Sequence, residues 1–530
     1  MGDPSDMARK SGSNLRPLSW AVPLMVLILL LSACGATESS PEESSPEESA
    51  PETGQDAWRW VLSQDFASLD PVAVYDGTTN GILSHITDPL VQLELDADNQ
   101  LHVVGMVAES WEPIDGGFRF HLRPDLQFHN GDQVTVEDVV YSIEAYQAPD
   151  SARVSEASVV TGVEVVDDQT LDLMTNVQEF DLLIVLANLL VLPAELHSAD
   201  PAAYGLSPIG SGPYQVREWV PGQTLTLEAN PDYWRGSPVP SVLEIRGITD
   251  PATRVAELIA GSADIIANVP VEQVSSIEGT EGLELVQISA ARTIILPMNV
   301  NEPPFDDVRV RQAVNYAVDR ESIVRDVLEG YGVPLSGMYA PGWQGHLADV
   351  TYDYDPERAR ELLADAGYPN GFDTTWHVTD GVFLKDREIA QAVANMLGAV
   401  GINVQLVPTE RARLLEEVPA GDFPGISSIA WGQSPDSVGP ASYVYGPETG
   451  MHLPELWSLV QEAVEAPSTE ERQAFFEQVY QLSHDEALWL FTHAQDELFA
   501  KSADVDWVPV FPTAGKSQVY YGDHAASYDE

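Results

Sequence analysis

Lysine and cysteine are nearly absent from this chain of 530 residues: Lys10, Lys385, Lys501 and Lys516 are all the lysines, and Cys34 is the one cysteine. A single thiol excludes a disulfide framework within the chain and a cysteine-based zinc site. With so few lysines, 25 cationic residues face 83 acidic ones, and the formal charge is −58. Such a charge repels nucleic-acid phosphates and anionic lipid surfaces, so neither is an expected partner. An acidic, lysine-poor surface suits a protein kept soluble in concentrated salt. Long apolar runs are also missing, since Ala21 to Leu31 is too short for a comfortable membrane span. The words of common catalysts are absent too. There is no glycine-rich loop ending in G-K-[ST] and no H-E-x-x-H, and Ser211 lacks the neighbours of a nucleophile elbow. His121 and His129 stand eight apart with no further ligands in view, which reads as scaffold rather than metal site. No enzyme activity, no metal and no cofactor is expected.

What is present begins at the N-terminus. Arg9, Lys10 and Arg16 precede the apolar run, which has the size of a signal-peptide core. Met7 is an alternative start just ahead of them. Leu31-Ser32-Ala33-Cys34 fits a lipobox, so residues 1–33 read as a lipoprotein signal peptide and Cys34 as the lipidated residue. Residues 34–56 are rich in Ser, Pro and Glu with no apolar periodicity, the composition of a disordered, self-repelling tether. A lipid anchor and tether place the folded body just outside a membrane, in a periplasmic space if there is an outer membrane.

The most legible stretch is Ala108 to Tyr146. Asp115-Gly116-Gly117 is a turn signal, and Phe118, Phe120 and Leu122 then alternate with Arg119, His121 and Arg123, the period of a half-buried strand. Thr135 with Asp138 makes a capping box before the apolar face Val139, Val140 and Ile143. Further on, Asp250-Pro251 opens a helix with Val255, Leu258 and Ile259 as its stripe. The run capped by Asp306 or Asp307 is a helix with Val310, Ala313, Val314 and Ala317 on one face, and Arg309 and Arg311 read as structural ion pairs. Asp355-Pro356 starts another helix. Phe372 to Thr379, Asp386 to Val400 and Ile402 to Val407 form a βαβ unit, so a parallel strand pair is expected. Ligands in open α/β sheets lie beyond the carboxyl ends of strands, which makes the loop from Asp380 to Lys385 a candidate cleft wall.

The order A-E-S-W-E, D-G, F-x-F-x-L-R, F-H-N-G, V-T-x-E-D-V-V-Y-S resembles the long solute-binding proteins of ABC importers, the peptide- and nickel-binding lipoprotein family. The resemblance recurs in Ile209 to Tyr214 (I-G-S-G-P-Y), in Asn230 to Gly236 (N-P-D-Y-W-R-G), in Arg254, Leu258, Gly261 and Asp264, and in the helix after Asp307. It implies a two-lobed α/β fold of the periplasmic-binding-protein-like type II, with an extra subdomain inserted in lobe I and a ligand cleft between the lobes. The expected divisions are lobe I over 57–288 with the insert at about 91–206, lobe II over 289–486, and a return to lobe I with a tail over 487–530.

The resemblance also implies capture of a peptide or similar small polar solute, delivery to ABC permease and ATPase subunits, and a monomer. The ligand-facing candidates are Tyr75 and Asp76 after the L-D-P turn, Arg292 in the passage between lobes, Asp380, and the segment with Trp431, Gln433 and Asp436. Relatives often carry an acid near Gln433 that grips a peptide amine, and this chain departs from that pattern. Arg292 has an alternative reading as a salt bridge across the hinge. A non-peptide ligand on the same fold (nickel chelate, opine or sugar), a surface sensor and, less favoured, a secreted hydrolase are the competing functions.

Overall fold

The computed structural model describes residues 57–507 apart from 75, 96–100, 380–381, 433–436 and 467. The segments read as signal peptide and tether, with Cys34 between them, lie outside the described residues.

Trp58, Trp60 and Leu62 of the strand Ala57–Leu62 bury into one core, and Val61 buries into another on the opposite face. A strand apolar on both faces belongs in the middle of a sheet with parallel neighbours. Ala57–Leu62 accordingly pairs in parallel with Val242–Gly247 on one side and with Ile265–Ala267 on the other. Antiparallel strands Thr224–Ala229 and Tyr214–Val220 extend the sheet at one edge. The helix Pro251–Ile259 packs on it from the N-cap Asp250. Its inward face is Arg254, Val255 and Leu258, with the Arg254 guanidinium donating to the carbonyls of Ile248, Ala267 and Asn268. Ile259 is 47 % exposed rather than part of the stripe. At 100° per residue it sits about a third of a turn off the centre of the face that Arg254 and Leu258 define.

Residues 91–192 build a separate unit on this body. Its four-stranded antiparallel sheet has the order Ala108–Ile114, Gly117–Leu122, Thr170–Thr175, Val160–Asp167. Gly116 turns the first hairpin at φ +78, and a Cβ on Gly117 would stand 2.1 Å from the Leu173 carbonyl oxygen. Phe120 and Leu122 are buried as their alternation requires, beside Val136, Val139 and Ile143 of the helix Val136–Tyr146. The capping box is formed: Thr135 Oγ1 accepts from the Asp138 N–H at 3.3 Å, and Asp138 Oδ2 accepts from the Thr135 N–H at 2.9 Å. The helix Glu179–Leu186 adds Leu182, Leu183 and Leu186 to the same core.

The second body has its own parallel sheet. Phe372–Val378 pairs in parallel with Ile402–Pro408, joined by the helix Asp386–Ala399, and Ile426–Ser427 adds a third strand. Trp376, Ile389, Val393 and Ile402 form its core with Val310, Ala313 and Val314 of the helix Val308–Tyr316. A further core joins the 335–352 region to the helices Val438–Tyr445, Pro454–Val464 and Thr469–Asp485.

Two strands run through both bodies. Leu283–Ile295 and His493–Ser502 pair antiparallel from Leu283 opposite Ser502 to Thr293 opposite Ala494. At one end His493–Ser502 also pairs with Ile265–Ala267 of the first body; at the other, Leu283–Ile295 pairs with Ile429–Gly432 of the second. Midway the register slips, so that Ser289, Ala290 and Ala291 lie opposite Asp496 alone. Ala290 takes a left-handed conformation at φ +52, and Asp496 holds it there by accepting the Ala290 N–H at 2.8 Å and Gln287 Nε2 at 2.5 Å.

The recurring words converge on one buried carboxylate, Asp88. Tyr233 Oη donates to it at 3.0 Å, Ser211 Oγ at 3.3 Å and Trp234 Nε1 at 3.4 Å. His129 spans the Gly210 N–H and the Gly212 carbonyl, and Asn230 Nδ2 also donates to Gly212. Burial pushes Asp88 up to about 7 against those three donors and the nearby Arg235 charge. A carboxyl raised in the fold contributes stability below its unfolded pKa and loses it as pH rises through the folded value. Asp88→Asn removes that dependence. Its stability relative to the parent should therefore improve between pH 4 and 7, at up to about 1.4 kcal/mol per pH unit. Urea unfolding at several pH values measures this, and parallel curves for the two proteins would show that Asp88 does not titrate there.

Candidate ligand site at the crossing strands

Arg292 lies at the downstream edge of the bulge, opposite Gly432 on one neighbouring strand and Gln495 on the other. Opposed residues share a face, so the Arg292 and Gln495 side chains emerge on the same side of the sheet. Arg292 Nη2 donates to Glu497 Oε1 at 2.9 Å, with the two side chains 26 % and 18 % exposed. The ion pair between crossing strands is thus present, and a ligand carboxylate at Arg292 would compete with Glu497. Trp431 is opposite Thr293, one position along, and therefore on the other face. Its indole is half-buried against the helix Val438–Tyr445: a Cβ on Gly439 would meet the ring at 2.8 Å, and the Tyr443 ring lies 5.6 Å away.

A small pocket with about 20 Å³ of room, enough for one water-sized group, opens at the carboxyl end of Phe372–Val378. Ile294, Trp376, Thr379, Phe383, Ile389 and His493 are among its walls. The position is the one that open α/β sheets use for ligands. His493 Nδ1 lies 3.1 Å from Thr492 Oγ1, while its buried Nε2 and the Thr379 hydroxyl have no hydrogen-bond partner among the described residues. Burial pushes His493 down to about 4, so the imidazole is neutral at pH 7.

The loop beyond the pocket reaches the first body. Leu384 packs against the cores of both bodies and donates its N–H to Gln495 Oε1 at 3.2 Å. Lys385 Nζ pairs with Glu272 Oε2 at 2.9 Å. Farther away, Arg472 forms a two-pronged pair with Asp181 at 2.6 and 3.0 Å. Asp76 is the N-cap of the helix Gly77–Ile86, accepting from the Thr79 N–H at 2.9 Å. Tyr75, Asp380, Gln433 and Asp436 lie outside the described residues, as does Cys34. Of the site residues expected from sequence, the structure brings Arg292 and Trp431 onto adjacent strands. Sequence reasoning missed Glu497, His493, Asp181 and Arg472. Lys385 alone carried a signal, as one of four lysines. Among the described residues no group of three His, Cys, Asp or Glu could hold a metal ion, and no helix is long and apolar enough to cross a membrane.

Two α/β bodies with separate cores, joined by paired crossing strands that carry polar groups, make a two-lobed architecture. The chain belongs to the bacterial extracellular solute-binding proteins, family 5, whose middle region matches residues 102–451. It is 26 % identical to heme-binding protein A of Haemophilus influenzae over 517 residues, covering 89 % of this chain and 93 % of that one. It is 29 % identical to glutathione-binding protein GsiB of Salmonella typhi over 373 residues, 67 % of this chain and 70 % of that one. The fold is that of NikA from Brucella suis in complex with Fe(III)-EDTA, with a TM-score of 0.77, 21 % identity, and 87 % and 98 % of the two chains covered. It is also that of the periplasmic binding protein DppA from Helicobacter pylori in complex with peptide STSA, with a TM-score of 0.75, 21 % identity, and 88 % and 98 % covered. The family is one of extracytoplasmic transport proteins rather than enzymes.

The bulge beside Arg292 depends on Asp496, which is 3 % exposed. Asp496→Ala leaves the buried Ala290 N–H and the Gln287 amide without their acceptor. It should cost about 1–3 kcal/mol in urea unfolding. An unchanged midpoint would show that the strands do not rely on this carboxylate.

Proposed function

We propose that this protein is a lipoprotein, anchored through Cys34 at the outer face of the cytoplasmic membrane, that captures a peptide or similar small polar solute and delivers it to the permease and ATPase subunits of an ABC importer. The observation that carries this reading is the pair of crossing strands between separately cored bodies, in a chain of this family. A solute that binds both bodies at once binds the closed arrangement better than the open one, and so shifts the population toward closure. The closed form is then what the permease recognises.

Glutathione, named for one relative, is a tripeptide, and a peptide occupies one of the structures that share this fold. Arg292 supplies a cation for a ligand carboxylate at the crossing strands, in exchange for its bond to Glu497. Trp431 offers the exposed part of its indole, and Asp76, Asp380 and Asp436 are the acidic candidates for a ligand amine. A second reading has one specific support. Gln433 stands where peptide binders carry an acid, which favours a chelate or an opine whose recognition needs no carboxylate there.

A thermal-shift screen of the chain from Ala57 onward, against di- to pentapeptides including glutathione, opines, sugars and nickel chelates, tests the proposal. A ligand at a hundred times its Kd adds about 2.7 kcal/mol, a shift of several degrees. Peptides should give it, and Arg292→Ala should weaken the hit about tenfold or more. A shift with a non-peptide class alone replaces the ligand. Undiminished binding by Arg292→Ala removes that residue from the site. No shift with any class, together with release of products from a substrate, contradicts the binder itself.

A further inference from the structure

Asp181 and Arg472 belong to different bodies. Asp181 lies in the first turn of the helix Glu179–Leu186, whose Leu182, Leu183 and Leu186 bury in the core of the 91–192 unit. Arg472 lies near the start of the helix Thr469–Asp485, whose Phe476, Val479 and Tyr480 bury in the core of the second body. The residues are 291 positions apart, yet both guanidinium Nη atoms meet both carboxylate oxygens, at 2.6 and 3.0 Å. The two side chains are only 7 % and 15 % exposed.

Arg472 is positioned by its own body. Its Nε donates to Gln344 Oε1 at 3.2 Å, and its guanidinium lies 5.4 Å from the centroid of the Phe476 ring. The arginine is thus held ready when Asp181 is elsewhere, so little side-chain entropy is lost when the pair forms. A movement that draws the second body away from the 91–192 unit separates these two residues. In water the separated charges are solvated; in the joined state they are two-pronged and nearly dry, where their attraction is screened least. The Gln344 carbonyl also accepts from Ser437 Oγ at 2.7 Å, and Ser437 directly follows the candidate solute segment 433–436. Lys385 and Glu272 make a further pair between bodies, at 2.9 Å but with Glu272 54 % exposed. That pair is the more strongly screened of the two.

We infer that the Asp181–Arg472 pair is a clasp that holds the two bodies closed on each other without solute, and so sets how much of the protein is open for capture. This rests on the hinged-binder reading, but its test uses no solute, so its failure is distinct from a failed ligand screen. The chain produced from residue 34 onward with Cys34→Ala, labelled at Glu144→Cys on the first body and Glu361→Cys on the second, is read by single-molecule energy transfer. Asp181→Ala and Arg472→Ala should each raise the open population roughly tenfold or more. The double variant should open no further than the singles, because one interaction is removed in all three. If Arg472→Ala fails to fold, Asp181→Ala carries the test, since it leaves Arg472 on Gln344. Distance distributions for Asp181→Ala that match the parent overturn the clasp. So does opening by Arg472→Ala alone, which would make Arg472 a packing residue of its own body.

Discussion

The structure depends on the antiparallel pairing of Leu283–Ile295 with His493–Ser502. These strands are edges to neither body. Each is hydrogen-bonded to the other along most of its length, and each body attaches a strand of its own at one end. The connection is therefore as stiff as a sheet across its width and soft at one place, where three residues face one. Bulges increase local twist and interrupt the ladder. Here the interruption is pinned by Asp496 rather than left to solvent. The candidate ligand groups Arg292 and Glu497 flank that interruption, so a solute bound there touches the part of the sheet best able to respond.

The scarcity of cations decides how they are used. Several arginines are buried against backbone carbonyls rather than paired on the surface. Arg320, 5 % exposed, donates to the carbonyls of Asn315, Val318 and Leu335. Arg311 donates to the carbonyls of Phe305 and Glu486 as well as to the Glu486 carboxylate. A guanidinium presents five donors in a fixed fork, which a lysine ammonium cannot copy. The acidic residues are left mainly to water, and their mutual repulsion is a standing cost that the cores must offset. Against that background, a carboxylate and a guanidinium from different bodies meeting in a nearly dry site is a directed interaction, since most carboxylates in this chain have no cation to meet.

Local physics was legible in the sequence. The alternation around Phe120, the capping box at Thr135 and Asp138, and the parallel pairing of Phe372–Val378 with Ile402–Pro408 follow from periods and caps that a few consecutive residues carry. Arg309 and Arg311 are ion-paired, as a chain so poor in cations suggests. Contacts between distant segments were not legible. Nothing near Asp181 announces Arg472. Ser289-Ala290-Ala291 contains no glycine to signal a left-handed residue, because the conformation is imposed by Asp496 from the opposite strand. Asp88 carries no motif of its own; the words Ile209 to Tyr214 and Asn230 to Gly236 identify the family, and only the fold shows that they meet on its carboxylate. For the ligand site, sequence marked Arg292 and Trp431 through their place in the chain and offered a salt bridge as the other reading of Arg292, but it did not name Glu497 as the partner or Tyr443 as the ring beside Trp431.

The central claim is that a solute is held between the two bodies at the crossing strands. Hydrogen–deuterium exchange of the protein with and without a solute from the screen tests it most directly. The account predicts slower exchange in 286–296, 429–432 and 493–498, together with the loop 382–386 that reaches across to the first body. Protection confined to the surface of one body, with the crossing strands exchanging as before, would contradict it.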